Sequence, residues 1–369
     1  MNALRNSILD LSRQNNIGEL TPWFSNQLDL QIQQGLFPTE DKLTDLAKDL
    51  VARLVSYGEQ TNVSTVVLGM SGGVDSALTA ALFKRAGWNV IGVTMPINQN
   101  PEETDRGIEA CEALGIEHRH IDLTDLYNST LNSLSGAFSI HTGQDQDPLD
   151  QRIGDFINDE DKDVTRVRIR RGNIRARLRM ITLYNLASLE GGLVASTDNF
   201  SELCAGFWTL HGDVGDLSPI QSLLKSWEVP YISKITGVPE STWRATPTDG
   251  LGISAGDEAQ LGGSYLEWDI MVNAIIKILR NSRTSMLAAN RGDQNKLREF
   301  LKIEGDERAE AVYEAVMTRM GGTWFKRMNP VNLQNKIHDR YSDLALIDNS
   351  MFVPSSLIGE PEPATAAIA

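Results

Sequence analysis

Residues 63–86 read VSTVVLGMSGGVDSALTAALFKRA, and their order decides the fold. A Val-rich apolar run ends at Gly69, adjacent glycines turn the chain at Gly72 and Gly73, and an Ala/Leu-rich segment follows. This is the pattern of a buried strand, a tight turn and a helix. Glycines let backbone N–H groups approach a ligand, and Ser71, Gly72, Gly73 and Ser76 set amides and two hydroxyls at the positive end of that helix, where an anion is favoured. Asp75 stands out, because a carboxylate beside a phosphate repels it unless a cation lies between them. A divalent metal resolves that conflict. An ordinary strand-to-helix turn, with Ser and Asp only capping the helix, accounts less well for paired glycines followed by Asp75-Ser76. The Walker pattern GxxxxGK[ST] is absent.

Working outward, Thr39 stands before a helical pattern with Glu40 and Asp41 in its first turn and Leu43, Leu46, Ala47, Leu50, Val51 and Leu54 on one face. After Ala86 come NVIGVTMP (89–96) as a strand, TDRGIEACEALG (104–115) as a helix ending at Gly115, and IEHRHIDL (116–123) as a strand. Strands alternating with helices predict an α/β fold, a doubly wound and mainly parallel sheet with helices on both faces. LYNSTLNSLS (126–135) reads as helix and 142–165 as a polar loop. Residues 166–179, RVRIRRGNIRARLR, hold seven arginines. Asn173 is the expected cap of a helix reaching Glu190, with Ile174, Leu178 and Ile181 inward and Arg175 and Arg179 on another face. LVAST (193–197) is a strand, SELCAGFWTL (201–210) a helix, LHGDVGDLSPI (210–220) a loop, and LLKSWEVPYISKITG (223–237) helical around Pro230. WRATPTDGLGISAGDEAQLG (243–262) reads as a ligand-covering loop, 265–280 and much of 281–322 as helical, and IGEPEPATAAIA (358–369) as a disordered tail. Residues 1–37 set no clear period.

The chain has 369 residues, 41% apolar and 22% charged, an ordinary globular composition. A formal charge of −15 argues against a general nucleic-acid binder, which needs a basic face. Two cysteines, Cys111 and Cys204, support neither a disulfide framework nor a Cys-based metal site. No segment resembles a signal peptide or a membrane span, so a cytoplasmic protein is expected.

SGGVDS resembles the pyrophosphate-binding loop of the ATP pyrophosphatases, a Rossmann-like fold. GNIRARLRM (172–180), LVASTDNFSE (193–202), HGDVGDLSPI (211–220) with Lys225, PTDGL (247–251) and KRMNP (326–330) follow in the order and spacing of ammonia-dependent NAD synthetase. That resemblance implies ATP-dependent amidation of nicotinic acid adenine dinucleotide by ammonia, with AMP and pyrophosphate released. It implies ATP contacts from Gly69, Met70, Ser71, Gly72, Gly73, Val74, Asp75, Ser76, Thr197, Lys225 and Thr248, and Mg²⁺ ligation by Asp75 and Glu202. Arg177, Asp216, Phe325 and Lys326 match dinucleotide contacts, and Asp75, Lys225 and Asp216 are the implied catalytic set. A homodimer is implied, with no nucleic-acid or membrane partner.

The corresponding division is a leader over 1–37, a core over 38–280, a helical insertion over 281–322, the end of the family core over 323–335 and an extension over 336–369. The chain departs from the pattern at Leu210, where the family often has lysine, and at Thr94, where it often has arginine. The closing motif reads Thr248-Asp249-Gly250-Leu251, and the loop from Asp213 to Asp216 is one residue short. Two other readings compete: a different adenylating ATP pyrophosphatase, and a nucleotide-binding protein without turnover.

Overall fold

In the computed structural model, which describes residues 2–142, 162–247, 258, 261–282 and 291–328, the strands β1 (Thr65–Gly69), β2 (Asn89–Thr94), β3 (Glu117–His120) and β4 (Leu193–Val194) form a parallel sheet. Their order is β3-β2-β1-β4, so β1 is an inner strand. Thr65 lies opposite Asn89, and Val66 opposite both Val90 and Leu193. Alternation along β1 sends Val66 and Leu68 into one core and Val67 into another, as expected of a sheet covered on both faces.

Helices α5 (Val74–Arg85) and α6 (Pro101–Leu114) cover one face. The other core takes Tyr127 and Leu131 of α7 (Thr124–Thr142), and Ile174, Leu178, Leu183 and Ala187 of α8 (Lys162–Glu190). α4 (Glu40–Thr61) and α10 (Glu228–Thr236) pack outside α5. The doubly wound expectation therefore holds. α9 (Phe200–Ala205) follows β4, and α11 (Glu240–Trp243) follows α10.

The stretch 1–37, which set no period, contains α1 (Asn2–Leu11), the single turn α2 (Gln14–Ile17) and α3 (Pro22–Gln33). They pack with α12 (Tyr265–Ser282), α13 (Arg291–Leu301) and α14 (Glu307–Gly322). The bonds are specific. Trp23 Nε1–H donates to Leu301 O at 2.8 Å, Trp23 N–H to Asp306 Oδ2 at 3.1 Å, and Gln31 Nε2–H to Ile270 O at 2.9 Å. Arg308 binds Glu267 through two nitrogens, at 2.9 and 2.6 Å.

Local readings need correction. Asn173 caps nothing: α8 runs unbroken from Lys162, and the Asn173 Oδ1 instead accepts the Thr209 hydroxyl at 2.8 Å. Ile181 faces solvent, 60% exposed, rather than inward. Helix α9 stops at Ala205, because Gly206 takes φ 63 and ends it. Of the 243–262 loop the structure describes 243–247, Glu258, Leu261 and Gly262, and the tail lies outside the described residues.

Candidate active site

β1 ends at Gly69, and Met70–Gly73 carries the chain into α5. Met70 N–H still donates to Val93 O at 2.8 Å, so the loop breaks from the sheet only after it. Gly72 then takes φ 82, and a Cβ there would stand 2.0 Å from the Glu103 carbonyl oxygen. Only glycine satisfies both the turn and the close approach of α6. The Ser71 and Ser76 hydroxyls lie 3.2 Å apart, Gly73 N–H donates to Ser71 Oγ at 3.3 Å, and Ser76 Oγ–H donates to Gly73 O at 3.0 Å. The result is a short polar cradle over the N-terminus of α5, with Val74 and Asp75 in the helix's first turn.

Three distant segments meet at Asp75. Asn199 Nδ2–H donates to Asp75 Oδ1 at 3.0 Å, and Lys225 Nζ–H donates to Asp75 Oδ2. Lys225 Nζ also lies 3.6 Å from Glu202 Oε1. The side chains of Lys225, Asp75 and Glu202 are only 8, 14 and 14% exposed, so these charges meet largely out of water. Glu202 is held by a capping box: Asn199 Oδ1 accepts Glu202 N–H at 3.1 Å, and Glu202 Oε2 accepts Asn199 N–H at 3.4 Å. Asn199 thus fixes both carboxylates.

A further layer lies beneath. The Asp269 carboxylate accepts Ser201 Oγ–H at 2.5 Å, Ser226 Oγ–H at 2.6 Å and Ser226 N–H at 3.1 Å. Burial pushes its carboxyl up to about 6 despite these donors. Ser201 Oγ in turn accepts Lys225 N–H at 3.0 Å, and the Lys225 ammonium sits 5.6 Å from the Tyr265 ring centre. Asn199, Ser201, Ser226, Tyr265 and Asp269 were not singled out from the sequence. Only Asn199 had a readable signal, the N-x-x-E spacing of Asn199 and Glu202.

Thr197 is half-buried in the segment between β4 and α9. Thr248 lies outside the described residues. The residues matched to the dinucleotide are placed differently from the Asp75 cluster. Arg177 on α8 is exposed, and its Nε–H donates to Leu210 O at 3.3 Å, so the backbone at the lysine-to-leucine departure anchors an arginine. The Asp216 carboxylate accepts Val194 N–H at 2.8 Å and Tyr184 O–H at 3.0 Å, which ties β4 to α8. Phe325 is exposed in the 3₁₀ turn Trp324–Met328. The Lys326 ammonium donates to the Gly206 carbonyl at 2.7 Å and to the Trp208 carbonyl, and burial lowers its pKa. At the other departure, Thr94 is buried with its hydroxyl 2.9 Å from both His118 Nε2 and His120 Nδ1. Cys111 and Cys204 are buried, and burial pushes both thiols up to about 12, which makes neither a nucleophile.

A sheet whose inner strand feeds a two-glycine loop onto a helix N-terminus, with two carboxylates and a lysine converging beside it, defines an α/β nucleotide-binding protein outside the Walker class. The chain belongs to the NAD synthase family, whose model matches residues 46–304. An NH(3)-dependent NAD(+) synthetase of Alkaliphilus metalliredigens is 35% identical over 218 residues, 58% of this chain and 81% of that relative. One of Campylobacter jejuni is 32% identical over 276 residues, 71% of this chain and 97% of that relative. A solved NH3-dependent NAD synthetase of C. jejuni superposes with a TM-score of 0.51 at 23% identity, over 79% of this chain and 99% of that one.

Proposed function

We propose that this protein is an ammonia-dependent ligase that converts nicotinic acid adenine dinucleotide to NAD, with ATP as co-substrate. Family membership supports the reaction class. The observation that carries the reading is the convergence of Asp75, Glu202 and Lys225 beside the glycine cradle. In the first step a nicotinate carboxylate oxygen attacks the α-phosphorus of ATP, the bond to the bridging oxygen of the β-phosphate breaks, and pyrophosphate leaves. In the second, ammonia attacks the acyl carbon, the carbon–oxygen bond to phosphate breaks, AMP leaves and the nitrogen gives up a proton.

The cradle amides and the hydroxyls of Ser71 and Ser76 bind the phosphates, and Lys225 supplies a cation to them. The first step brings two anions together, so positive charge fixed in a largely dry site lowers its barrier. Asp75 and Glu202 suit Mg²⁺, since the two carboxylates already share one cation, Lys225. Mg²⁺ favours such sites, with one or two carboxylates completed by substrate phosphate, and when bound it neutralises charge developing on the leaving pyrophosphate. Arg177, Asp216, Phe325 and Lys326 are assigned to the dinucleotide, with Asp216 also in the catalytic set; Asp216 and Lys326 hold backbone groups of β4 and of the turn at Gly206 as well. That the relatives are named NH(3)-dependent supports ammonia as the nitrogen donor.

Purified protein given ATP, Mg²⁺, ammonium and nicotinic acid adenine dinucleotide is expected to form NAD, AMP and pyrophosphate in equal amounts. Folded protein that yields no NAD above a boiled control overturns the reading.

A further inference from the structure

Glu202 and Lys225 come from segments that are not adjacent in sequence, yet Lys225 Nζ lies 3.6 Å from Glu202 Oε1, so the spacing of the two segments sets how both side chains face the cradle. The backbone next to each is held by one buried side chain. Asp269, 1% exposed on α12, takes Ser201 Oγ–H on one oxygen, and Ser226 N–H and Oγ–H on the other. Ser201 directly precedes Glu202, and Ser226 directly follows Lys225. Ser201 Oγ also accepts Lys225 N–H at 3.0 Å, which closes a ring of hydrogen bonds through Asp269, Ser201, Lys225 and Ser226. One turn earlier on α12, Tyr265 lies under the Lys225 ammonium, 5.6 Å from ring centre to Nζ.

We infer that Asp269 is a positioning residue of the phosphate and metal site, which locks the Glu202 and Lys225 segments into one unit through Ser201 and Ser226. It touches none of the reacting groups. The inference rests on the proposed roles of Glu202 and Lys225, but not on the identity of the acceptor. An apolar residue could fill the same volume without the desolvation cost of a carboxylate. The carboxylate's return is geometric: its two oxygens take three donors from two segments and fix their spacing. Residues behind metal ligands commonly matter this way, with losses of about 10- to 100-fold in metal affinity or activity when they are removed.

The test reads metal binding without turnover. Mn²⁺ is titrated into the protein with α,β-methylene-ATP, which cannot be split between its α- and β-phosphorus, and free Mn²⁺ is followed by electron paramagnetic resonance. Asp269→Asn, Ser201→Ala and Ser226→Ala are each expected to weaken Mn²⁺ binding about 10-fold. Ser233→Ala, which removes a buried hydroxyl bonded only within α10, should leave it unchanged. Asparagine preserves volume and can still accept from Ser226, so Asp269→Asn should lose less than Asp269→Leu. If Asp269→Asn does not fold, the two serine variants decide. Folded serine variants with wild-type Mn²⁺ affinity overturn the inference, as does wild-type protein that binds no Mn²⁺ with the nucleotide. Wild type that binds the metal–nucleotide pair but forms no NAD overturns the substrate assignment and leaves the positioning role standing.

Discussion

Gly72 shows how far one residue commits the site. Its φ of 82 and the 2.0 Å that would separate a Cβ from Glu103 O are two separate penalties, one of conformation and one of space. Gly87 supplies the comparison, since it has φ 80 and a Cβ added there would meet nothing within 4 Å. Gly87→Ala should therefore cost only the left-handed strain, about 1 kcal/mol, and leave nucleotide affinity unchanged. Gly72→Ala should cost about 2 kcal/mol or more, because α6 has to retreat as well, and should weaken ATP binding at least tenfold by opening the cradle. Urea unfolding and titration calorimetry with ATP separate the two. Equal behaviour of the two variants would show that the approach of Glu103 has no role in the cradle. Asp75 was legible in the sequence for a related reason: local chemistry alone, a carboxylate at a phosphate-type turn, already demanded a cation. Asp269 was not, because its meaning depends on donors 68 and 43 residues away.

Helix α9 spans six residues and carries Glu202 in its first turn. A helix this short has too few internal bonds to hold itself, so both ends depend on partners. The Asn199–Glu202 box holds the start. At the far end Arg327 donates to Cys204 O at 3.0 Å and Leu203 O at 3.3 Å, and Lys326 to Gly206 O at 2.7 Å, cations placed on C-terminal carbonyls. The first cap was readable from Asn-x-x-Glu spacing. The second was not, since its donors lie more than 100 residues downstream in a segment that resembled a ligand contact. The same limit explains α8: an arginine-rich run with asparagine in it suggested a cap, but Asn173 serves the loop at Thr209. Arg327→Ala should cost about 1–3 kcal/mol, as charged donors to buried carbonyls are lost, and should raise the Mg²⁺ concentration needed for half-maximal NAD formation. Arg327→Lys should recover part of both. A variant that loses stability with an unchanged Mg²⁺ requirement would uncouple the cap from Glu202.

At the scale of the whole molecule, the parallel sheet was legible because strand and helix periods alternate from 63 to 123, whereas the helical layer around α12 was not, because its contacts join residues 2–33 to residues 265–322. That layer and the site share a buried acidic interior. Asp269 and Glu228 are both almost inaccessible, and burial pushes the Glu228 carboxyl from 4.5 up to about 7, with the Asp269 charge adding to the rise and the Leu224 N–H bond opposing it. A carboxyl whose pKa is higher in the folded than in the unfolded chain binds its proton more tightly when folded. Its favourable contribution is full below the unfolded pKa, near 4.5, and is lost as pH rises through about 7. Wild-type stability should therefore fall between pH 5 and pH 8, where the formal charge of −15 adds self-repulsion. Glu228→Gln isolates the first effect, since the amide oxygen can still accept Leu224 N–H, a bond of 3.0 Å in the wild type. The variant should match wild type near pH 4 and exceed it at pH 8 by up to about 3 kcal/mol, the upper limit set by that pKa difference. Urea midpoints across this range give the answer: a constant difference between the two proteins at all pH values would mean that Glu228 has the same pKa folded and unfolded, its burial offset by pairing stronger than its single backbone donor accounts for.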